Sequence, residues 1–169
     1  MKRIGLLSDT HGHVPERIFA FFKDVDEIWH AGDIGNIETA KQLAEYKPLR
    51  AVYGNIDGQD IRSVYPIHQR FFCEETDVWM THIGGYPGNY DRRIKQALYA
   101  DPPKIFITGH SHILKVIFDP KLDMLHINPG AAGLYGFHKK STAVRFVIDN
   151  KEIRDLEIWE MDKNKNKSI

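Results

Sequence analysis

The sequence predicts an α/β domain, and two observations carry that prediction. A strand, a polar loop and a helix follow one another twice within the first fifty residues, and in the second half short apolar segments alternate with turn signals and show no helical period. A chain of 169 residues, 42% hydrophobic and 27% charged, is long enough for one domain with a proper core.

Arg3 to Ser8 is short and aliphatic, the pattern of a buried strand, and it stops at Asp9-Thr10-His11-Gly12-His13 before Pro15 opens an amphipathic helix from Glu16 to Phe22. Glu27 to His30 repeats the unit, leading through Ala31-Gly32-Asp33-Ile34-Gly35 to Asn36, an N-cap for a helix with Ile37, Ala40 and Ala44 on one face. Arg50 to Tyr53 is a third strand, ending in Gly54-Asn55-Ile56-Asp57-Gly58. Gln69–Cys73 and Asp77–Thr81 read as a hairpin pair that delivers His82. Gly84, Gly85, Pro87 and Gly88 predict a loop without regular structure, and Asp91 to Ala100 has helical spacing until Asp101-Pro102-Pro103 ends it. Lys104 to Thr108 is the strand before Gly109-His110-Ser111-His112, and the segments beyond it predict mostly antiparallel β up to Trp159. Residues 1–161 form a single predicted domain, and the Lys/Asn-rich residues 162–169 form a tail expected to be unstructured.

Lys plus Arg and Asp plus Glu both number 23, so no net positive field recruits nucleic acid or an anionic membrane. Cys73 is the single cysteine and the N-terminal residues form no long apolar segment, which predicts a cytoplasmic protein. Five predicted strands end in metal-competent residues: Asp9 with His11, then Asp33, Asn55, His82, and His110 with His112. In open α/β sheets ligands bind outside the carboxyl ends of the strands, so these loops meet if the strands run the same way. Two Asp, one Asn and four His form a mixed oxygen and imidazole set suited to Mn, Fe, Zn, Co or Ni rather than Mg or Ca. Each residue alone has a plainer reading: Asp9 and Asp33 as cap or turn residues, Asn55 as a turn residue, His82 as a core histidine.

Asp9-x-His11, Gly32-Asp33, Gly54-Asn55-x-Asp57, Thr81-His82 and Gly109-His110-x-His112 resemble, in order, the motifs of the calcineurin-like metallophosphoesterases. Asn128-Pro129-Gly130 resembles a signature of their small single-domain, YfcE-like phosphodiesterase branch. The resemblance implies a four-layer αββα sandwich, with two packed mixed β-sheets flanked by helices. It also implies two divalent transition-metal ions, manganese foremost, with Fe, Zn, Ni or Co as alternatives. Asp9, His11 and His112 are then expected on the first ion, Asn55, His82 and His110 on the second, with Asp33 bridging both. A metal-bridging hydroxide attacking in line makes the expected activity hydrolysis of small or activated phosphate esters, foremost diesters.

Ile56 stands where many relatives have a histidine, and it cannot donate a proton. Asp57 matches the following acidic residue, expected to orient a ligand histidine from behind rather than to act as the acid. His13 and His138 are candidate substitute proton donors but read more simply as loop histidines, His30 reads as a support beneath the site, and Tyr86, Asn89 and Tyr90 as residues that could line the cleft. The motifs supply no Lys/Arg cluster for a monoester dianion. A small phosphate ester is the expected partner, with self-association left open. The alternatives within the same resemblance are a non-catalytic, Vps29-like protein-binding scaffold and a nuclease or phosphomonoesterase.

Overall fold

The computed structural model describes residues 1–164. Two five-stranded sheets account for most of it. The first is assembled from β1 (Lys2–Leu7), β2 (Glu27–His30), β3 (Leu49–Ala51), β11 (Lys140–Asp149) and β12 (Glu152–Asp162), in the order β12-β11-β1-β2-β3. The second contains β4 (His68–Cys73), β5 (Thr76–Thr81), β8 (Ile105–Ile107), β9 (Leu114–Asp119) and β10 (Met124–Pro129), in the order β4-β5-β8-β10-β9. Each sheet contains three parallel strands: β1, β2 and β3 in one, β5, β8 and β10 in the other. The remaining strands add in antiparallel fashion.

Period-two alternation sorts the side chains into layers. Ile4, Leu6 and Trp29 of the first sheet meet Val78, Met80, Ile105 and Ile107 of the second in the central core. On the outer face of the first sheet, Leu7 and Ile28 are covered by Ile18 of α1 (Glu16–Phe21) and Leu43 of α2 (Ile37–Tyr46). On the outer face of the second, Trp79 and Phe106 are covered by Ile94 and Leu98 of α4 (Arg92–Ala100). Helix, sheet, sheet, helix is the four-layer arrangement expected. α3 (Gln59–Arg62) is one further turn that buries Ile61 against Ile34, Ala40 and Ala51.

Asn36 caps α2 as its sequence suggests, its Oδ1 accepting from Thr39 N at 2.9 Å. One expectation needs correction. The segment after His82 contains a small hairpin, β6 (Gly85–Tyr86) with β7 (Asn89–Tyr90), which Pro87-Gly88 closes. The second half is mostly antiparallel, as expected, and the refinement is that β10 enters beside β8 in parallel register while β9 pairs to its far edge in antiparallel register. Alternation in a sequence reports which face a residue takes and not the direction in which its strand runs. Asp162 still pairs with Lys140, and Lys163 N donates to Lys139 O, so order extends into the predicted tail; 165–169 lie outside the described residues.

Candidate metal centre

Parallel β1, β2 and β3, and parallel β5 and β8, deliver their following loops to one edge of the sandwich. Backbone hydrogen bonds join these loops: Asp9 N to Gly32 O at 3.0 Å, His11 N to Asp33 O at 3.1 Å, and Gly109 N to His82 O at 3.0 Å. Close approach is required of Gly32, where a Cβ would sit 2.7 Å from His82 Cβ, and of Gly54, where it would collide with Asp33. Asp9, His11, Asp33, His110 and His112 all adopt positive φ, between 45° and 71°. Left-handed backbone is disfavoured for side-chain-bearing residues, and its concentration here marks loops shaped for their side chains.

Those side chains form two groups, each with ligand-type atoms within 4.8 Å of one another: Asp9, His11 and His112 in one, Asp33, His82 and His110 in the other. His112 Nε2 lies 3.1 Å and His11 Nε2 3.7 Å from Asp9 Oδ1. Asp33 Oδ2 lies between the groups, 3.2 Å from His82 Nε2 and 3.5 Å from His11 Nε2. Asn55, the remaining predicted residue, is exposed and borders a cleft of about 270 Å³ that it shares with His82.

Each carboxylate is anchored by one oxygen. Asp9 Oδ2 accepts from Ser8 Oγ at 2.6 Å and His110 N at 3.1 Å, and Asp33 Oδ1 accepts from Ile56 N at 3.1 Å. The other oxygens face the imidazoles. Asp9 Oδ1, His11 Nε2 and His82 Nε2 are buried with no hydrogen-bond partner among the described residues. Burial would raise the pKa of Asp9, but His11, His112, His82 and Ser8 outweigh it and hold the carboxyl well below the usual range. Burial likewise opposes a charged His82, yet Asp33 and Asp9 raise its pKa.

The tautomers sharpen the picture. Ala31 O can only accept, so His82 Nδ1 donates to it at 2.7 Å and the neutral ring turns its Nε2 lone pair toward Asp33. Gly133 O takes a proton from His138 Nε2 at 2.8 Å, leaving His138 Nδ1 to accept from His112 Nδ1 at 3.2 Å. In the neutral rings, then, imidazole lone pairs face carboxylate oxygens at hydrogen-bonding distance. Either an additional proton or a cation must lie between such acceptors. Buried oxygens and imidazole nitrogens arranged this way fit a divalent transition metal.

Support continues below the site. His30 Nδ1 accepts from Gly32 N at 3.1 Å, so its Nε2 donates to Thr10 Oγ1 at 2.9 Å, and Thr10 donates to Ile34 O at 2.8 Å. Burial pushes His30 down to about 4, keeping it neutral in this role. Asp57 does not orient a histidine as expected. It accepts from three backbone amides, Ile34 N at 3.1 Å, Gly35 N at 2.8 Å and Gly54 N at 2.8 Å, and so fastens the Asp33 loop to the Asn55 loop. Those amides converge on it because β2 and β3 are neighbours in parallel register. Asp9 caps no helix, since the N-cap of α1 is Pro15, with no side-chain cap. Asn128 holds the histidine loop, its Nδ2 donating to Gly109 O at 3.0 Å and to Ser111 Oγ at 3.1 Å.

Several cleft residues escaped sequence reasoning. His138 supports a predicted ligand from a loop with no motif. Arg62 and Arg93 line the Asn55 and His82 cleft, where the motifs alone offered no cationic side chain. Tyr135 stacks on His11, with ring centroids 5.0 Å apart. Tyr86, Asn89 and Tyr90 do line a hollow with His110.

The family model described as the calcineurin-like phosphoesterase superfamily domain matches residues 1–151. The chain belongs to that superfamily. Among relatives of this superfamily chain, a phosphodiesterase of Methanocaldococcus jannaschii is 31% identical over 144 residues, covering 76% of this chain and 82% of its own. A solved archaeal phosphodiesterase superposes with a TM-score of 0.73 at 25% identity, covering 93% of this chain and 99% of its own. Vps29 from Entamoeba histolytica, solved with zinc, shares the fold at 16% identity, with a TM-score of 0.73 and coverage of 96% and 99%. No helix among the described residues is long and apolar enough to cross a membrane.

Proposed function

We propose that this calcineurin-like phosphoesterase is a dinuclear-metal-dependent phosphodiesterase acting on small or activated phosphate esters. One observation carries the reading: Asp33 Oδ2 lies within 3.5 Å of the Nε2 atoms of both His11 and His82, one from each group, as a shared carboxylate must. In this reading Asp9, His11 and His112 would hold one ion, Asn55, His82 and His110 the other, and Asp33 would be shared by both.

Two divalent cations bound there, manganese foremost, would supply Lewis acidity toward phosphoryl oxygens and activate water at neutral pH. The protein's own contribution is to position them. Ser8 and the His110 amide fix Asp9, the Ile56 amide fixes Asp33, and Ala31 and His138 set the tautomers of His82 and His112. Asp57 acts as a positioning residue, through the loops that carry Asp33 and Asn55. Arg62 and Arg93 line the second half of the cleft, Arg62 donating to Asp57 O and Asn55 O and Arg93 paired with Asp91. The Ile56 side chain, exposed beside Asn55, gives the leaving oxygen no proton.

Purified protein loaded with Mn²⁺ hydrolyses bis-p-nitrophenyl phosphate in this reading, and EDTA or His110→Ala abolishes turnover. The resemblance of the fold to Vps29 makes a non-catalytic scaffold the second reading; metal binding without any hydrolysis favours it.

A further inference from the structure

The edge of the site on the His112 side is unlike the rest of it. The segment following β10 passes over His112 and His11 and presents Tyr135, 71% exposed, and a fully exposed Phe137, while Ile113 on the facing loop is 58% exposed. Isolated surface hydrophobics are ordinary. Here three of them share one hollow of about 500 Å³ whose remaining wall includes His110, His112 and His138. That volume is in the range of small-ligand sites, and its wall is continuous with the metal centre.

The hollow is built rather than incidental. Ala132 N donates to Ser8 O at 2.8 Å and Gly133 N to Asp9 O at 3.1 Å, tying the start of the segment to the Asp9 loop. His138 donates to Gly133 O, and Lys163 Nζ donates to Gly136 O at 2.6 Å, fixing its far end. Gly136, at φ +120°, lets the backbone lie against His112, where a Cβ would come within 2.6 Å of Cε1. The segment is thus held while its aromatic rings face solvent. Tyr135 already lies nearly parallel to the His11 ring, at 26°, which shows that planar groups stack here.

We infer that this hollow receives an aromatic ring, an aryl group or a nucleobase, carried by one ester arm of the substrate whose phosphoryl group occupies the metal centre. The assignment rests on the phosphodiesterase reading above and adds to it a substrate class. The two sides differ in their charged groups: Arg62 and Arg93 line the His82 side together with Tyr53, Ile67 and Ile83, whereas the hollow beside His112 is walled by Ile113, Tyr135, Phe137 and histidines, with no Lys or Arg among the described residues that line it.

The test is binding of phenylphosphonate and methylphosphonate to the Mn²⁺-loaded protein by isothermal titration calorimetry, with methyl p-nitrophenyl phosphate hydrolysis assayed alongside. Phenylphosphonate is expected to bind about tenfold more tightly than methylphosphonate, as ring stacking predicts. Phe137→Ala is expected to reduce that ratio below about threefold, and Phe137→Tyr to restore it. Equal affinities, or a ratio unchanged in Phe137→Ala, overturn the ring site while leaving any observed hydrolysis, and so the phosphodiesterase reading, standing. A ring preference without hydrolysis supports the ring site and overturns the catalytic reading. Failure of both phosphonates to bind overturns the ring site, and the phosphodiesterase reading falls with it only if methyl p-nitrophenyl phosphate is not hydrolysed either.

Discussion

His112 Nδ1 and His138 Nδ1 lie 3.2 Å apart, and the opposite nitrogen of His138 donates to Gly133 O. In the neutral ring this pairing places the proton on His112 Nδ1 and aims the Nε2 lone pair at Asp9 Oδ1, 3.1 Å away. Removing the partner of a ligand histidine costs metal affinity by roughly 10–100-fold. His138→Ala is therefore expected to weaken the ion of the Asp9, His11 and His112 group by at least about tenfold, leaving the other ion nearly unchanged. Two-site metal titration reads this directly; equal weakening of both ions would count against it.

Asp57 accepts from the amides of Ile34, Gly35 and Gly54. A carboxamide retains one acceptor oxygen and turns an NH₂ toward another donor, so Asp57→Asn is expected to cost about 3 kcal/mol. For a chain of this size that is a fall in Tm of roughly 6–12 °C. Activity should fall further than the folded fraction, because the Asp33 and Asn55 loops come apart. A thermal melt within 2 °C of wild type, on the order of a surface substitution, would contradict this role.

His126 is wholly buried and packs on Phe106, with ring centroids 5.8 Å apart. Burial lowers its pKa from 6.5 to about 4. Between those values the unfolded chain binds a proton that the folded one does not, so stability is full above about pH 6.5 and falls as pH drops toward 4. The loss attributable to His126 is on the order of 3 kcal/mol. His126→Phe is expected to remove this contribution, which urea titrations at pH 7 and pH 4.5 measure. An unaltered pH dependence would show that His126 titrates as an exposed histidine does.

Ile56 is 46% exposed at the cleft and lacks a transferable proton. Rates for a series of aryl methyl phosphates should fall steeply as the leaving-group pKa rises, and Ile56→His should flatten that slope by supplying an acid. A flat wild-type slope with chemistry rate-limiting would mean that another group protonates the departing oxygen.

The fold and the convergence of the candidate residues on one edge were legible for one physical reason. Parallel strands carry their following loops to a common edge, so Asp9, Asp33, Asn55, His82 and His110 could be located from the strand that precedes each. Residues that meet the site only through tertiary approach carried no such mark. His138 and Tyr135 arrive on a motif-free segment, and Arg62 belongs to a one-turn helix too short to show a period. Asp57 was visible as a motif position, but its partners were not: backbone amides leave no trace in side-chain identity. Strand direction was equally silent: the second half is mostly antiparallel as expected, but nothing in its alternation marked the one parallel pairing, β10 with β8.

The central claim is that one carboxylate, Asp33, joins two metal half-sites and that His110 and His112 serve different ones. Anomalous diffraction from a manganese-loaded crystal tests it most directly. The account predicts two peaks about 3.5–4 Å apart, Asp33 touching both, with His112 on the peak shared with Asp9 and His110 on the peak shared with His82. A single peak bound by both His110 and His112 would contradict it.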